Sequence, residues 1–516
     1  MRPAARSRRP AGSVAGHRRV RQDGDAAAAG GPTDREPMSS SLRRLLVGAV
    51  VSAVLGSTVL TGCAASLIEG NATPAAGVAG NVDPQDFPII GASDDEIDDI
   101  ARNALADLNT YWTEQFGPTF GQDFTPLTGG YFSVDPANVD PAQYPNGQIG
   151  CGEEPQAVEN NAFYCGESDQ YPNGDAIQYD RAFLDELAFG GGGSEGYGRF
   201  IPALVMAHEF GHAVQGRVGY PVQASSIAIE TQADCFAGAW TKWVADGKAE
   251  HNTIRPAELD DVLRGYLLLR DPVGTGRNAG EAHGSYFDRV SAFQQGFDDG
   301  PTACRDAFGR DRPYTQGQFQ TDQDLASGGD APYSTTVGEF APKGLSEFFT
   351  AAFQKLGKPF TPPTLEPFDG QAPECDGQQP DTDLVYCAAD HTVGFDQTDL
   401  TEPLYADEQG GDFAVLTAIA IPYGLAVRDQ LGLSTDDQDA IRSAVCLAGA
   451  FTAGVLNGQS SVLRISPGDA DESVSFLLEN SDDPDVLAES GLTGFQLVDV
   501  FRSGVFEGLA PCGIGA

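Results

Sequence analysis

Two histidines one helical turn apart carry the strongest chemical signal in the chain. They stand in His208-Glu-Phe-Gly-His212, and Glu230-Thr-Gln-Ala-Asp234 follows. Side chains at i and i+4 share a helix face, so both imidazoles can bind one metal ion. Glu209 follows the first histidine and can reach a water held by that ion. Glu230 offers a third ligand from a second helix. Two histidines and one glutamate leave the fourth tetrahedral position of zinc open, which is the donor set of a catalytic site and not of a structural one. Zinc lowers the pKa of its bound water to roughly 7. Glu209 would accept the proton and later pass it to a leaving amine. Asp234 lies four residues after Glu230, on the same helical face. It could accept a hydrogen bond from the free ring N–H of a histidine ligand, His208 first, and fix its tautomer. The competing reading is a chance His-x-x-x-His on an ordinary core helix. The second acidic motif, on its own helix, argues against it.

The surroundings favour helices. Pro202 suits a first helical turn, Leu204, Val205 and Met206 are apolar, and Gly219-Tyr-Pro221 ends the run. Ser225 or Ser226 can cap the second helix.

The first 37 residues are rich in Arg, Ala and Gly and show no apolar period. They read as a mis-chosen start or an unusual extension. Met38 opens a second possible start, followed by Ser39-Ser-Ser-Leu-Arg-Arg44, an apolar run from Leu45 to Leu60, and Leu60-Thr-Gly-Cys63. This is the order of a charged segment, a short apolar segment and a lipobox, with lipidation by acyl chains such as palmitate expected at Cys63. A plain signal peptide or a single anchor helix is the alternative. The 516 residues hold 31 basic and 74 acidic side chains, a net charge of −43. Residues 1–62 account for 10 basic and 4 acidic, leaving 21 and 70 from Cys63 onward. Such acidity argues against nucleic acid or anionic lipid as a partner and for a solvated surface.

Nine cysteines become eight if Cys63 is lipidated, an even number that suits disulfides in an exported chain. An internal repeat narrows the pairing. Cys151…Phe163-Tyr-Cys165 resembles Cys375…Val385-Tyr-Cys387, and Ile177-Gln-Tyr-Asp180 resembles Val393-Gly-Phe-Asp396. Ala207-His-Glu-Phe-Gly-His-Ala-Val214 aligns with Ala420-Ile-Pro-Tyr-Gly-Leu-Ala-Val427. Cys235-Phe-Ala-Gly-Ala239 aligns with Cys446-Leu-Ala-Gly-Ala450, and Phe293 to Cys304 with Phe501 to Cys512. Upstream, Leu108, Tyr111, Trp112 and Phe116 match Leu345, Phe348, Phe349 and Phe353. The order is kept throughout, which chance does not explain. The pairing that respects both copies is Cys151–Cys165, Cys235–Cys304, Cys375–Cys387 and Cys446–Cys512. Cys235, beside Asp234, has a second reading as a buried thiol. The second copy has lost its chemistry. Ile421, Pro422 and Leu425 stand for His208, Glu209 and His212, Ile441 for Glu230 and Val445 for Asp234.

The constellation resembles the bacterial putative neutral zinc metallopeptidase family. The carrying residues are Cys151 to Cys165, His208 to His212, Glu230 to Gly238, His283-Gly-Ser285, Gly296-Phe297 and Cys304. The resemblance implies a zincin-like peptidase domain, one Zn2+ per chain in the first domain, a peptide or protein substrate and association with a membrane. It also sets His283 at a point where a non-ligand histidine could stabilise the oxyanion formed on a peptide carbonyl. The alternative for His283 is a surface or capping residue. Tyr220 and Tyr286 are further candidate donors, while His251 and His391 read as surface residues.

The expected class is α+β and mostly helical. The divisions are an extension and signal over 1–62, a flexible tether over 63–92, a peptidase domain over 93–305, a polar linker over 306–337 and a degenerate copy without ligands over 338–516. Helices are expected near 94–116, 201–217, 226–246, 256–270 and 283–298, and strands near 130–133 and 176–180. Gly190-Gly-Gly-Gly193 reads as a mobile loop before the metal helix. The functional reading is a zinc-dependent peptidase, lipid-anchored on the outer face of the cytoplasmic membrane. The alternative is an anchored scaffold with a vestigial metal site. An intact Glu209 beside all three ligands favours the enzyme, since a scaffold needs no general base.

Overall fold

Helix α1 (Glu96–Phe120) begins where Asp95 accepts from Asp98 N and ends at Gly121, whose φ of 73° suits a residue without Cβ. Its apolar side chains recur at helical spacing as Ala101, Leu105, Leu108, Trp112 and Phe116, all fully buried. A computed structural model describes residues 80–514 except 168–173, 192–195, 222–223, 281 and 310. Cys63 and the whole of 1–62 lie outside the described residues, as does part of the Gly190–Gly193 loop.

Strands β1 (Gly130–Val134), β2 (Ala162–Cys165) and β3 (Ala176–Asp180) form a sheet in the order β1-β3-β2. β1 runs parallel to β3 and β2 antiparallel to it, so β2 is an edge. Five helices follow: α2 (Arg181–Phe189), α3 (Ile201–Val218), α4 (Ser226–Ala245), α5 (Pro256–Leu269) and α6 (Tyr286–Ala307). Ser225 caps α4 and Ser285 caps α6. The last helix runs past its expected end because Pro301 restarts it after a turn at Gly300, where φ is 74°. The helices α4 and α6 touch backbone to backbone. A Cβ on Gly238 would collide with the Phe293 carbonyl, and one on Gly296 with the Cys235 carbonyl. The Cys235–Cys304 disulfide fastens the same pair, and Cys151 is joined to Cys165.

The rest of the chain repeats this layout. After the short helices α7 (Asp322–Ser327) and α8 (Tyr333–Thr335) come α9 (Ala341–Lys355), β4 (Thr364–Phe368), β5 (Leu384–Cys387) and β6 (Thr392–Asp396). Then follow α10 (Glu402–Ala406), α11 (Asp412–Gln430), α12 (Gln438–Leu456), α13 (Asp469–Glu479) and α14 (Gly494–Glu507). The second sheet has the order β4-β6-β5 with the same parallel and antiparallel pairings. Gly449 and Gly504 meet the carbonyls of Phe501 and Cys446 as closely as their counterparts do. The Cys375–Cys387 and Cys446–Cys512 bridges complete the match. Among the described residues α12 is the one helix long and apolar enough to cross a membrane, and it is largely buried in the core.

One apolar core runs through both halves. Phe297 meets Phe495 at 5.0 Å between ring centroids. Asp260 of α5 caps α14 by accepting from Phe495 N (2.7 Å) and Gly494 N (3.1 Å). Gln294 Nε2 donates to the Phe495 carbonyl at 2.8 Å. The polar stretch expected to be a linker is tied down as well. Thr315 N and Gln316 N donate to Asp288 of α6 at 2.8 and 3.0 Å. The mostly helical α+β class is as the sequence implied. β2 and α2 were not foreseen, being only four and nine residues long.

Candidate metal centre

α3 and α4 cross closely because Gly211 has no side chain, and a Cβ there would press on Ala233. The crossing brings His208 and His212 of α3 against Glu230 of α4. His208 Nε2 and His212 Nε2 are 3.2 Å apart, and each lies 3.3 Å from Glu230 Oε2. Ligands about 2.0–2.1 Å from a tetrahedral zinc ion stand about 3.3 Å from one another. The three donor atoms therefore fit zinc by type and by spacing.

The other ring nitrogens are committed, which fixes both tautomers. His208 Nδ1 donates to Asp234 Oδ1 at 2.7 Å. His212 Nδ1 donates to Gln215 Oε1 at 2.8 Å, and Gln215 Nε2 is held by the Ile229 carbonyl and Gln232. Asp234 is gripped by Arg289 of α6 through Nε (2.9 Å) and Nη2 (2.8 Å), with neither residue exposed to solvent. The Arg289 guanidinium also sits over the Tyr266 ring, 5.3 Å from its centroid. Burial pulls the His208 imidazolium down, but the Asp234 carboxylate outweighs it and pushes the pKa up to about 10. Burial likewise opposes ionisation of Asp234, and the Arg289 charge overcomes it and lowers the carboxyl.

Glu209 is buried beside the two histidines, and its Oε2 accepts from Tyr164 N of β2 at 2.8 Å. Burial pushes its carboxyl up, in the direction that makes a carboxylate a stronger base. All of His208, Glu209, His212, Glu230, Asp234 and His283 line one cleft of about 410 Å3. Residues 161–164, on the outer edge of the sheet, form another wall of it. His283 stands half-exposed at the rim, where Asp271 accepts from its backbone N (2.8 Å) and lies 3.4 Å from Nδ1. Tyr220 also lines the cleft. Tyr286 does not. It is fully buried and borders a different cavity, so its candidacy as a donor fails. His251 and His391 are half-buried and bonded to the carbonyls of Gly80 and Thr361, away from the cleft.

Arg289, Gln215 and Gln232 escaped the sequence reading. Helical spacing from His212 could have flagged Gln215, three residues on. Nothing local to Arg289 announces its contact with Asp234.

The family whose model matches the chain is described as putative neutral zinc metallopeptidase, and the match covers residues 4–308. An uncharacterized protein of Mycobacterium tuberculosis (strain H37Rv) is 31% identical over 183 residues, covering 31% of this chain and 59% of its own length. The uncharacterized protein YpfJ of Escherichia coli K12 is 27% identical over 183 residues, covering 32% of this chain and 58% of its own. The chain thus spans about three fifths of the length of these relatives. No solved structure matches it.

Proposed function

The chain belongs to the family of putative neutral zinc metallopeptidases, and from that premise we propose that it hydrolyses peptide bonds at the crossing of α3 and α4. The single observation that carries the reading is Glu209. It is buried in the cleft beside three donor atoms spaced for zinc and held by Tyr164 N. A zinc ion held by His208 Nε2, His212 Nε2 and a Glu230 oxygen would supply Lewis acidity and lower the pKa of a water to about 7. Glu209 takes the proton of the attacking water and delivers it to the leaving amine nitrogen. Asp234 and Arg289 keep the His208 ring in one orientation, and Gln215 does the same for His212. His283, at the rim, is the candidate donor to the developing oxyanion. The edge strand β2 lies beside the cleft, with Tyr164 N held by Glu209 and Ala162 N by Asn161 Oδ1, so an extended peptide there would bond to its outward carbonyls.

Two accompanying readings are ours as well. Cys63 is proposed as a lipidated N-terminus outside the cytoplasmic membrane, on the strength of Leu60-Thr-Gly-Cys63. Residues 338–516 are proposed as a second copy of the peptidase fold that binds no zinc, supported by the matching sheet order, glycine contacts and disulfides.

The test is metal analysis of the purified protein joined to a peptide-library cleavage assay, with and without a chelator. One zinc per chain and chelator-sensitive cleavage are expected. Zinc content undiminished in His208→Ala, or zinc bound with no cleavage of any peptide, would refute the enzyme reading.

A further inference from the structure

Far from the cleft in sequence, four carboxylates converge where the segment after α7 meets the first turns of α11 and α13. They are Asp330, Asp412, Asp469 and Glu472, and the last three are more than nine-tenths buried. One oxygen from each of Asp330, Asp469 and Glu472 lies within 4.8 Å of the others. Asp412 adjoins them, since its neighbours Phe413 N and Ala414 N donate to Glu472 Oε2 at 2.9 and 3.3 Å. The backbone nearby has already spent its donors. Ala331 N serves Asp412 Oδ2 at 2.9 Å, and Ser466 N serves Asp469 Oδ2 at 2.8 Å. Asp412 Oδ1 is left buried without any hydrogen-bond partner. Arg270 lines the adjoining cavity, but its guanidinium is committed to Asp471 Oδ2 (2.9 Å) and Gln409 Oε1 (3.0 Å).

We propose that Asp330, Asp469 and Glu472, with Asp412 beside them, bind a divalent cation, calcium, which fastens the segment after α7 to the starts of α11 and α13. Buried like charges this close are neutralised either by taking up protons or by a bound cation, and a cation that displaces those protons binds in competition with them. Beside these three acids, Asp412 Oδ1 is buried without a hydrogen-bond partner, a lone pair that a cation or one of its bound waters would satisfy. The donor set selects the metal. All ligands are hard oxygens, with no nitrogen or sulfur to favour zinc. Calcium takes 6–8 oxygens at about 2.3–2.6 Å, so ligand oxygens around one ion lie within about 5 Å of each other. Magnesium commonly uses one or two carboxylates and keeps its waters. A cavity of about 270 Å3, lined by Asp330 and Glu472, gives an ion and its waters a route in. Burial, with repulsion among the acids, pushes the Asp412 carboxyl up to about 7 and those of Asp469 and Glu472 well above the usual range. The same helix reaches the first half, since Asp471 Oδ1 accepts from Phe287 N at the start of α6.

The test uses the purified full chain, freed of calcium with EGTA and titrated with calcium chloride alone. Calorimetry should give one saturable calcium site per chain, and the melting temperature should rise with occupancy. Asp330→Asn, at a half-buried loop position, should weaken binding at least about tenfold without lowering the calcium-free melting temperature. Glu472→Gln should abolish the site, and if that variant does not fold, Asp330→Asn decides. His208→Ala should bind calcium as the wild type does, which separates this site from the zinc centre. Absence of saturable uptake by the wild type would overturn the proposal. So would uptake unchanged in Asp330→Asn, or uptake lost only in His208→Ala.

Discussion

Two helix crossings in this molecule share a backbone and differ in what they bury. At α3 and α4, Gly211 lets the helices touch, and the crossing holds His208, His212, Glu209, Glu230 and Asp234. At α11 and α12, Gly424 meets Ala444 in the same way, and the aligned positions are Ile421, Leu425, Pro422, Ile441 and Val445. The exchange extends to a residue no motif contains. The alignment of Phe293 with Phe501 puts Leu497 opposite Arg289, and Leu497 is fully buried. The second crossing carries none of these charges, with Val445 and Leu497 standing where Asp234 and Arg289 pair. A buried ion pair replaced whole by apolar side chains leaves no uncompensated charge, whereas loss of one partner does. The comparison teaches that the scaffold does not need the polar cluster, and that the cluster's members depend on one another.

The largest effect expected is on turnover. Glu209→Gln removes the proton acceptor and leaves the donors to the metal in place. Peptide cleavage should fall by about 10²–10⁴-fold with zinc content unchanged by elemental analysis. The second crossing, with Pro422 at this position, should contribute no residual activity. Cleavage at the wild-type rate would end the case for the first crossing as the catalytic one.

The next test transplants one crossing into the other. Asp234→Val alone leaves Arg289 buried without its partner and should cost about 3–5 kcal/mol in urea unfolding. Adding Arg289→Leu recreates the Val445 and Leu497 pair of the second crossing, and much of that loss should return. Zinc affinity should stay about 10–100-fold weaker in both variants, because His208 Nδ1 has lost its acceptor. If the double variant is as unstable as the sum of the two single ones, the two crossings are not interchangeable scaffolds.

The candidate ligands His208, His212 and Glu230, with Asp234 behind His208, were legible because a metal site on two helices needs local spacing. The likeness of layout between the two halves was legible because glycines and cysteines mark close backbone approach and covalent closure, which tolerate few substitutes. Arg289 was not, since its partner lies 55 positions away and a lone arginine has no period. Asp330, Asp412, Asp469 and Glu472 escaped for the same reason. Four acids spread over three elements look like any other part of a strongly acidic chain. The segment carrying Asp330 was read as a linker from its glycines and polar residues. Its ties to Asp288 and Asp412 run mostly through backbone amides, which composition cannot register.

A smaller effect should be equal in the two halves. The Cys235–Cys304 and Cys446–Cys512 bridges close loops of 69 and 66 residues. Loops of that size stabilise by about 2–4 kcal/mol each. Replacing either pair by alanine should lower the unfolding free energy by similar amounts. A bridge whose loss costs nothing would mark its half as held by other means.

The smallest effect concerns a residue to which the second half aligns no histidine. His283 lines the cleft but is half-exposed, and Asp271 holds it through its backbone amide and lies within 3.4 Å of Nδ1. A donor that engages only the developing oxyanion stabilises the transition state and not bound substrate, so its loss lowers kcat and leaves KM nearly unchanged. His283→Ala should therefore reduce kcat by about tenfold, below the ~10²–10³-fold typical of a well-buried oxyanion donor. Water reaching the exposed rim can replace part of the lost hydrogen bond, which is why the loss is smaller. Asp271→Asn should reproduce a fraction of that drop if Asp271 positions the ring. A rise in KM with kcat intact would make His283 a substrate-binding residue, and steady-state kinetics on one cleaved peptide separates the two outcomes.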